Sequence, residues 1–429
     1  MTSNRDWAAS TAGRAAARAA ERIRPGEIDL ARPFRPDLEP EALDALRRGR
    51  LARLQAAMRA QDVPVCLFFS PANIRYATGT DVMGVWSATT FARHCIVPAL
   101  GEPVLFEYPG SIHVSRRLVA DVRPAREWQF KLASQADAAR AWAREVRGVL
   151  AELGLAGERV ALDKLDTPGF LALRAEGIEL STAAAVTLAA REIKTADELE
   201  VVRRNGVIGD EMLAELEAAV RPGVREYELL AALSHALLRR HGDFLSTRLL
   251  ASGQNTNPWM NEAHERVVER GEMVVLDTDA HGYEGYVIDL SRGFLCGDRP
   301  TVEQRDTYRA AFEVVRGMTD NVRPGMAFWD FAAAAPQLPE RYRAQRYASL
   351  AHQAGLEVEG PDIPYPDEGA SWTPELAERT LRPGMVLSLQ CYAGAVGGST
   401  GVKLEDQVIV TEDGCELMCR YPYDERLLT

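Results

Sequence analysis

Asp277, Asp279 and Asp289 stand within one short stretch of chain whose flanking residues, Met273–Asp277 and Gly285–Leu290, read as apolar β-strand. Residues two apart on a strand share a face, so Asp277 and Asp279 can point into one pocket. The segment His281-Gly-Tyr-Glu-Gly285 reads as a hairpin turn that returns Asp289 beside them. Carboxylates gathered on apolar strands repel one another and are costly to bury unless a cation neutralises them. A metal ion is the simplest such cation, and hard divalent ions or iron accept carboxylate oxygens together with an imidazole. The imidazole and a further acid come from downstream. His352 follows the apolar run Tyr347-Ala-Ser-Leu-Ala351, and Glu405 lies in the strand-like Val402-Lys-Leu-Glu-Asp-Gln-Val408. A solitary histidine near a strand is ordinarily a hydrogen-bonded core residue. Here the order Asp, Asp, His, Glu favours ligation.

The elements that must hold these residues follow from hydrophobic period. Helix is expected from Pro40 to Gln61, over Ala136–Leu155 and near Pro168–Ala175, with strands at Val63–Phe69, His94–Pro98, Pro103–Glu107 and Arg159–Leu162. That alternation implies an α/β domain. From Lys194 to Ala219 the chain is one long amphipathic region, opened by the capping signal Thr195-Ala-Asp-Glu198. Helices at Glu226–His241, Thr301–Val315 and Phe328–Ala335 then intersperse with strands that include Met385–Leu389 and Asp406–Val410. The expected organisation is an N-terminal extension over 1–40, an α/β domain over 41–190 and the acid-bearing domain over 191–429.

A formal net charge of -12 and no clustered basic stripe argue against nucleic acid as a partner. No apolar run approaches the roughly 20 residues of a membrane helix. The Ala/Arg-rich opening, Met1 to about Pro25, lacks the apolar centre of a secretory signal and reads as a plain helix. Six cysteines, scattered without CxxC spacing, suit reduced thiols and a cytoplasmic setting.

Taken together, the acids, His352 and their order resemble the pita-bread metallopeptidase family that includes methionine aminopeptidase, prolidase, aminopeptidase P and creatinase. Glu192-Ile-Lys-Thr-Ala-Asp-Glu198 resembles the segment that opens that domain, and Met385-Val-Leu-Ser-Leu-Gln-Cys391 its penultimate ligand strand. The resemblance implies an α/β (α+β) fold, with a creatinase-like N-terminal α/β domain followed by a C-terminal pita-bread domain. Within the family the chain looks most like dimethylsulfoniopropionate lyases of the DddP type. The segments that carry this are Asn73-Ile-Arg-Tyr-Ala77, Thr247-Arg-Leu-Leu-Ala-Ser-Gly253, Thr256-Asn-Pro-Trp259, Ile288-Asp-Leu-Ser-Arg292, Tyr365-Pro-Asp367 and Lys403-Leu-Glu-Asp-Gln407. By resemblance, the metal ligands are Asp277, Asp279, Asp289, His352 and Glu405. Tyr347, implied as a catalytic residue too, would with Trp259 bind the substrate's cationic end, since a sulfonium is attracted to a ring face. A homodimer acting on a small molecule is implied as well.

Three departures bear on activity. Where the family's penultimate ligand is Glu, this chain has Gln390, an uncharged and weak ligand that weakens or removes the second metal position, or else simply hydrogen-bonds within the pocket. The family's His-Gly-x-Gly-His stretch reads His352-Gln-Ala-Gly-Leu356, and a further peptidase histidine falls near Trp259-Met260. Loss of both disfavours peptide hydrolysis, whose tetrahedral intermediate needs such groups, and agrees with the lyase branch. The acid that serves the lyases as base falls on Val358, flanked by Glu357 and Glu359, either of which would have to take that role. The expectation is therefore a metal-dependent carbon–sulfur lyase using iron, manganese or zinc, with one or two ions per subunit. The alternatives are a C–N hydrolase of the Xaa-Pro or creatinase type, and a non-catalytic binding protein.

Overall fold

The structure is a computed structural model that describes residues 38–82, 84, 90–130 and 134–429. The expected N-terminal extension and its helix lie outside the described residues, save for the last three positions. Contacts divide the chain into two compact units, Leu38–Thr195 and Ala196–Thr429.

The first unit is built on a six-stranded sheet in the order β4-β3-β2-β1-β5-β6. Its strands are β1 (Val65–Phe68), β2 (His94–Pro98), β3 (Val104–Glu107), β4 (Asp121–Pro124), β5 (Val160–Leu162) and β6 (Leu180–Thr182). Helix α1 (Pro40–Ala60) turns Leu46, Leu54 and Met58 inward at helical spacing. Helix α2 (Pro71–Thr78) starts with Pro71 in its first turn, where the missing N–H costs nothing. Helix α3 (Gln135–Glu152) contributes Trp142, whose ring lies 4.6 Å from Trp128 at the centre of the core. Helices α4 (Thr167–Ala175) and α5 (Ala184–Arg191) complete the unit.

The second unit opens with α6 (Ala196–Ala219) and α7 (Glu226–Leu238), then lays down a nine-stranded sheet. Its central path is β12-β11-β13-β14-β10-β9-β7, with β8 also paired to β9 and β15 to β14, and every pairing is antiparallel. The strands are β7 (Phe244–Leu245), β8 (Leu249–Ser252), β9 (Glu272–His281), β10 (Val287–Cys296), β11 (Ser349–Ala354), β12 (Val358–Pro364), β13 (Val386–Gly394), β14 (Gly401–Val410) and β15 (Cys415–Leu417). Helix α8 (Val302–Asn321), capped by a reciprocal Thr301/Gln304 box, packs against β13 and β14.

The hairpin joining β9 to β10 is set by α6. Asn205 Oδ1 accepts from the Tyr283 N–H at 2.8 Å, and its Nδ2 donates to the Tyr283 carbonyl. Gly282 passes so close that a Cβ there would lie 2.2 Å from Asn205 Oδ1. Gly285 takes φ 76°, open to glycine without strain. On its far face β10 rests Ile288 and Leu290 against Gly209 of α6, which leaves Asp289 pointing the other way.

Candidate metal centre and active site

Register brings the acids together. Asp289 pairs directly with Asp279 across the hairpin, and Ser291 pairs with Asp277 on one side and Glu405 on the other. On β13, Ser388 is paired with His352 and Gln390 with Glu405. Directly opposed residues share a face, so Asp277, Asp279, Asp289, Ser291, His352, Ser388, Gln390 and Glu405 line one surface.

The tightest group is Asp289, His352 and Glu405, whose ligand atoms all fall within 4.8 Å of one another. His352 Nε2 is 3.4 Å from Asp289 Oδ2 and 3.6 Å from Glu405 Oε1. The other imidazole nitrogen, Nδ1, is 3.0 Å from the Gln353 carbonyl. Donation of the Nδ1 proton there leaves the Nε2 lone pair facing the acids, the usual preparation of a metal-binding histidine. Ser388 Oγ donates to Asp289 Oδ2 at 2.9 Å. Asp289 Oδ1 and Glu405 Oε1 are buried and accept no hydrogen bond. Two orphaned carboxylate oxygens beside an imidazole nitrogen fit a divalent cation.

Asp277 is held differently. Its Oδ1 lies 2.7 Å from Ser291 Oγ and 2.7 Å from Lys403 Nζ, and its Oδ2 accepts from the Tyr347 hydroxyl at 3.4 Å. Lys403 Nζ also donates to Glu405 Oε2 at 2.8 Å, and sits 4.9 Å from the Tyr347 ring centroid. The titration behaviour follows. Burial, and then the neighbouring carboxylates, hold the Asp289 carboxyl well above its usual range. Burial pushes Asp277 up to about 6 against the pull of Lys403. Burial acts on Glu405 in the same sense, but Lys403 and His352 outweigh it and hold that carboxyl below its usual range. His352 is raised, because Glu405 more than offsets the burial that opposes its charge.

Gln390 is buried in the pocket surface, and its Nε2 donates to Ser349 Oγ at 3.1 Å. Tyr347, Met260 and Trp259 form the neighbouring wall. The Tyr347 hydroxyl is 3.7 Å from Met260 Sδ, and buried Trp259 stacks on Tyr392 with centroids 6.1 Å apart. Asn257 ties this wall to the loop after β13 by donating to the carbonyls of Ala395 and Gly398.

The two acids flanking Val358 part company. Glu359 is paired with Gln353, and so points to the face away from His352; its carboxylate lies over Gly355. Val358 is paired with Ala354 on the His352 side and is 48% exposed, whereas Glu359 is 5% exposed. Strand alternation turns Glu359 from the His352 face, and Glu357 lies in the turn between β11 and β12. Lys403, Ser291 and Ser388 carry no role in the sequence reading. The spacing of Lys403, two residues before Glu405 on a strand, is the signal that could have placed it on the same face.

The metallopeptidase family M24 matches residues 200–412, and the creatinase/prolidase N-terminal domain matches residues 50–193. A dimethylsulfoniopropionate lyase DddP from Roseovarius nubinhibens is 34% identical over 396 residues, covering 90% of this chain and 88% of its own. The chain belongs to metallopeptidase family M24. An Xaa-Pro dipeptidase from Pyrococcus furiosus is 28% identical over 54% of this chain and 64% of its own. Among solved structures, a prolidase from Thermococcus sibiricus superposes with a TM-score of 0.72 at 20% identity, covering 88% of this chain and 98% of its own. That likeness establishes the fold: a creatinase-type N-terminal domain and a pita-bread domain. M24 enzymes are dinuclear metalloenzymes, and the Asp289–His352–Glu405 group is a candidate metal site inside the matched domain.

Proposed function

We propose that this M24 protein is a carbon–sulfur lyase acting on dimethylsulfoniopropionate or a closely similar sulfonium carboxylate. The observation that carries this reading is the joining of a carboxylate–histidine centre to an aromatic wall, in a chain 34% identical to a DddP lyase along 90% of its length. A divalent cation held by Asp289, His352 and Glu405 would supply a Lewis-acidic seat for the substrate carboxylate. Its identity, among iron, manganese and zinc, is open to elemental analysis. The ring of Tyr347, with Trp259 beside it, offers the sulfonium an electron-rich face. Removal of the proton α to the carboxylate supplies the electron pair of the new C=C bond. The C–S pair leaves with sulfur, giving neutral dimethyl sulfide and acrylate. Glu357 is the acid we assign to that proton transfer, because Glu359 faces away.

Two observations set this reading above peptide hydrolysis. Leu356 replaces a histidine that the peptidases use, and the loop at Trp259-Met260 offers no proton-shuttling group. We also read the protein as a cytoplasmic homodimer, on the family resemblance and on six free cysteines. Light scattering on the purified protein checks the dimer. The deciding assay is headspace detection of dimethyl sulfide from dimethylsulfoniopropionate, beside amino-acid release from Xaa-Pro dipeptides. Sulfide without dipeptide cleavage is expected; the reverse pattern would replace the lyase by a C–N hydrolase.

A further inference from the structure

Lys403 and Glu405 leave the same face of β14, and the Lys403 side chain is only 4% exposed. Its ammonium reaches Asp277 Oδ1 at 2.7 Å and Glu405 Oε2 at 2.8 Å. A positive charge joining a carboxylate of β9 to one of β14 does what a bridging metal ion does. The cluster therefore has two unlike halves. On one side both oxygens of Asp277 are already engaged, Oδ1 by Ser291 and Lys403, Oδ2 by Tyr347. On the other, Asp289 Oδ1 and Glu405 Oε1 are buried without a partner beside His352.

Charge points the same way. Asp277, Asp279, Asp289 and Glu405 bring four negative charges, Lys403 returns one, and Gln390, directly across from Glu405, brings none. One divalent ion leaves a single negative charge beside the aromatic wall, which suits a cationic substrate. A second would make the pocket positive and would meet the ammonium across the same Asp277 oxygen.

We infer that Lys403 stands in for the second metal ion of the M24 centre, so that each subunit binds one ion, at Asp289, His352 and Glu405. The inference rests on the metal-centre reading above but not on the substrate. It makes Lys403 a positioning residue that fixes metal number and holds Asp277 and Glu405 in place.

The test is a manganese(II) titration of chelator-stripped protein, followed by electron paramagnetic resonance and by metal analysis after desalting. Wild type should retain one equivalent with an isolated-ion spectrum, and Lys403→Arg, which keeps the charge, should do the same. Lys403→Met combined with Gln390→Glu should retain two equivalents and show the signal of a spin-coupled pair. Two tight equivalents in wild type would overturn the inference while leaving sulfide release, assayed separately, untouched. One equivalent in a folded, monodisperse double variant would overturn it as well, and so would a wild type that binds none.

Discussion

Tyr347 meets the centre through both its parts, and the two can be separated by substitution. The hydroxyl bonds Asp277 weakly at 3.4 Å, while the ring has the Lys403 ammonium 4.9 Å from its centroid. If the ring binds a sulfonium, Tyr347→Phe should change KM by less than about threefold. Tyr347→Ala should raise KM by roughly 5- to 30-fold, the equivalent of a partly desolvated cation–π contact. Steady-state kinetics on both variants checks this, and equal effects would place the function in the hydroxyl. Similarly, Glu357→Gln should lower kcat by at least about 100-fold if it is the base, with Glu359→Gln within about threefold of wild type. At this scale the candidate cluster Asp289, His352 and Glu405 is legible because carboxylates and a histidine in apolar strands have few other uses. The face that Glu359 takes is not legible, because neighbours in sequence point to opposite faces of a strand, and only the pairing with Gln353 says which face is which. Lys403 went unread because a lysine ordinarily lies on the surface, and its burial depends on Asp277, 126 residues away.

The elements were legible where hydrophobic period was unbroken and less so where function interrupts it. Strand β9 runs to His281, four residues beyond the apolar reading, because Asp277 and Asp279 spend their inward positions on the pocket. Helix α2 lies where no element is expected from the sequence, since Ser70-Pro71 suits a turn and a helix start equally. Arg292 was noticed as part of a motif, and its mechanical role appears only between strands. Its Nη1 donates to the Glu405 carbonyl at 2.7 Å, its Nη2 to Asp406 Oδ1 at 2.7 Å, and its guanidinium lies 4.2 Å above the Tyr423 ring. It thereby ties β10 to β14 and to the C-terminal segment, directly behind Glu405. Arg292→Met strands a buried carboxylate at Asp406 and should cost about 3–5 kcal/mol in urea unfolding. Arg292→Met with Asp406→Leu, which removes that stranded charge, should recover part of the loss. A double variant no more stable than the single would show that the backbone carbonyls, and not the ion pair, are what Arg292 holds.

At the scale of the whole molecule, each unit has its own core and its own chemical handle, so chelation and acid should act on different transitions. Metal bound only by the folded second unit adds stability by mass action, about 3 kcal/mol when free metal stands near 100-fold above Kd. Chelation at pH 7 should therefore lower the transition of the unit Ala196–Thr429 alone. In the first unit the handle is His94, fully buried, with its Nδ1 3.1 Å from the Ala92 carbonyl and its Nε2 accepting from Trp142 Nε1 at 3.1 Å. Those partners require the neutral ring, which stacks on Phe106 at 4.4 Å, and burial lowers its pKa to about 3. The unfolded chain then binds a proton that the folded unit refuses, between the ordinary value near 6.5 and about 3. Stability from His94 is complete above that upper value and is lost as pH falls through the window, by about 2 kcal/mol between pH 7 and pH 5. Asp163, which burial holds above the usual carboxylate range, titrates in the opposite sense, so the comparison is with His94→Gln. Calorimetry at the two pH values should show the first unit's transition falling further in wild type than in His94→Gln, with chelator leaving that difference unchanged. An equal fall in both proteins would mean that His94 is protonated in the folded unit and that its bond with Trp142 is not the one described.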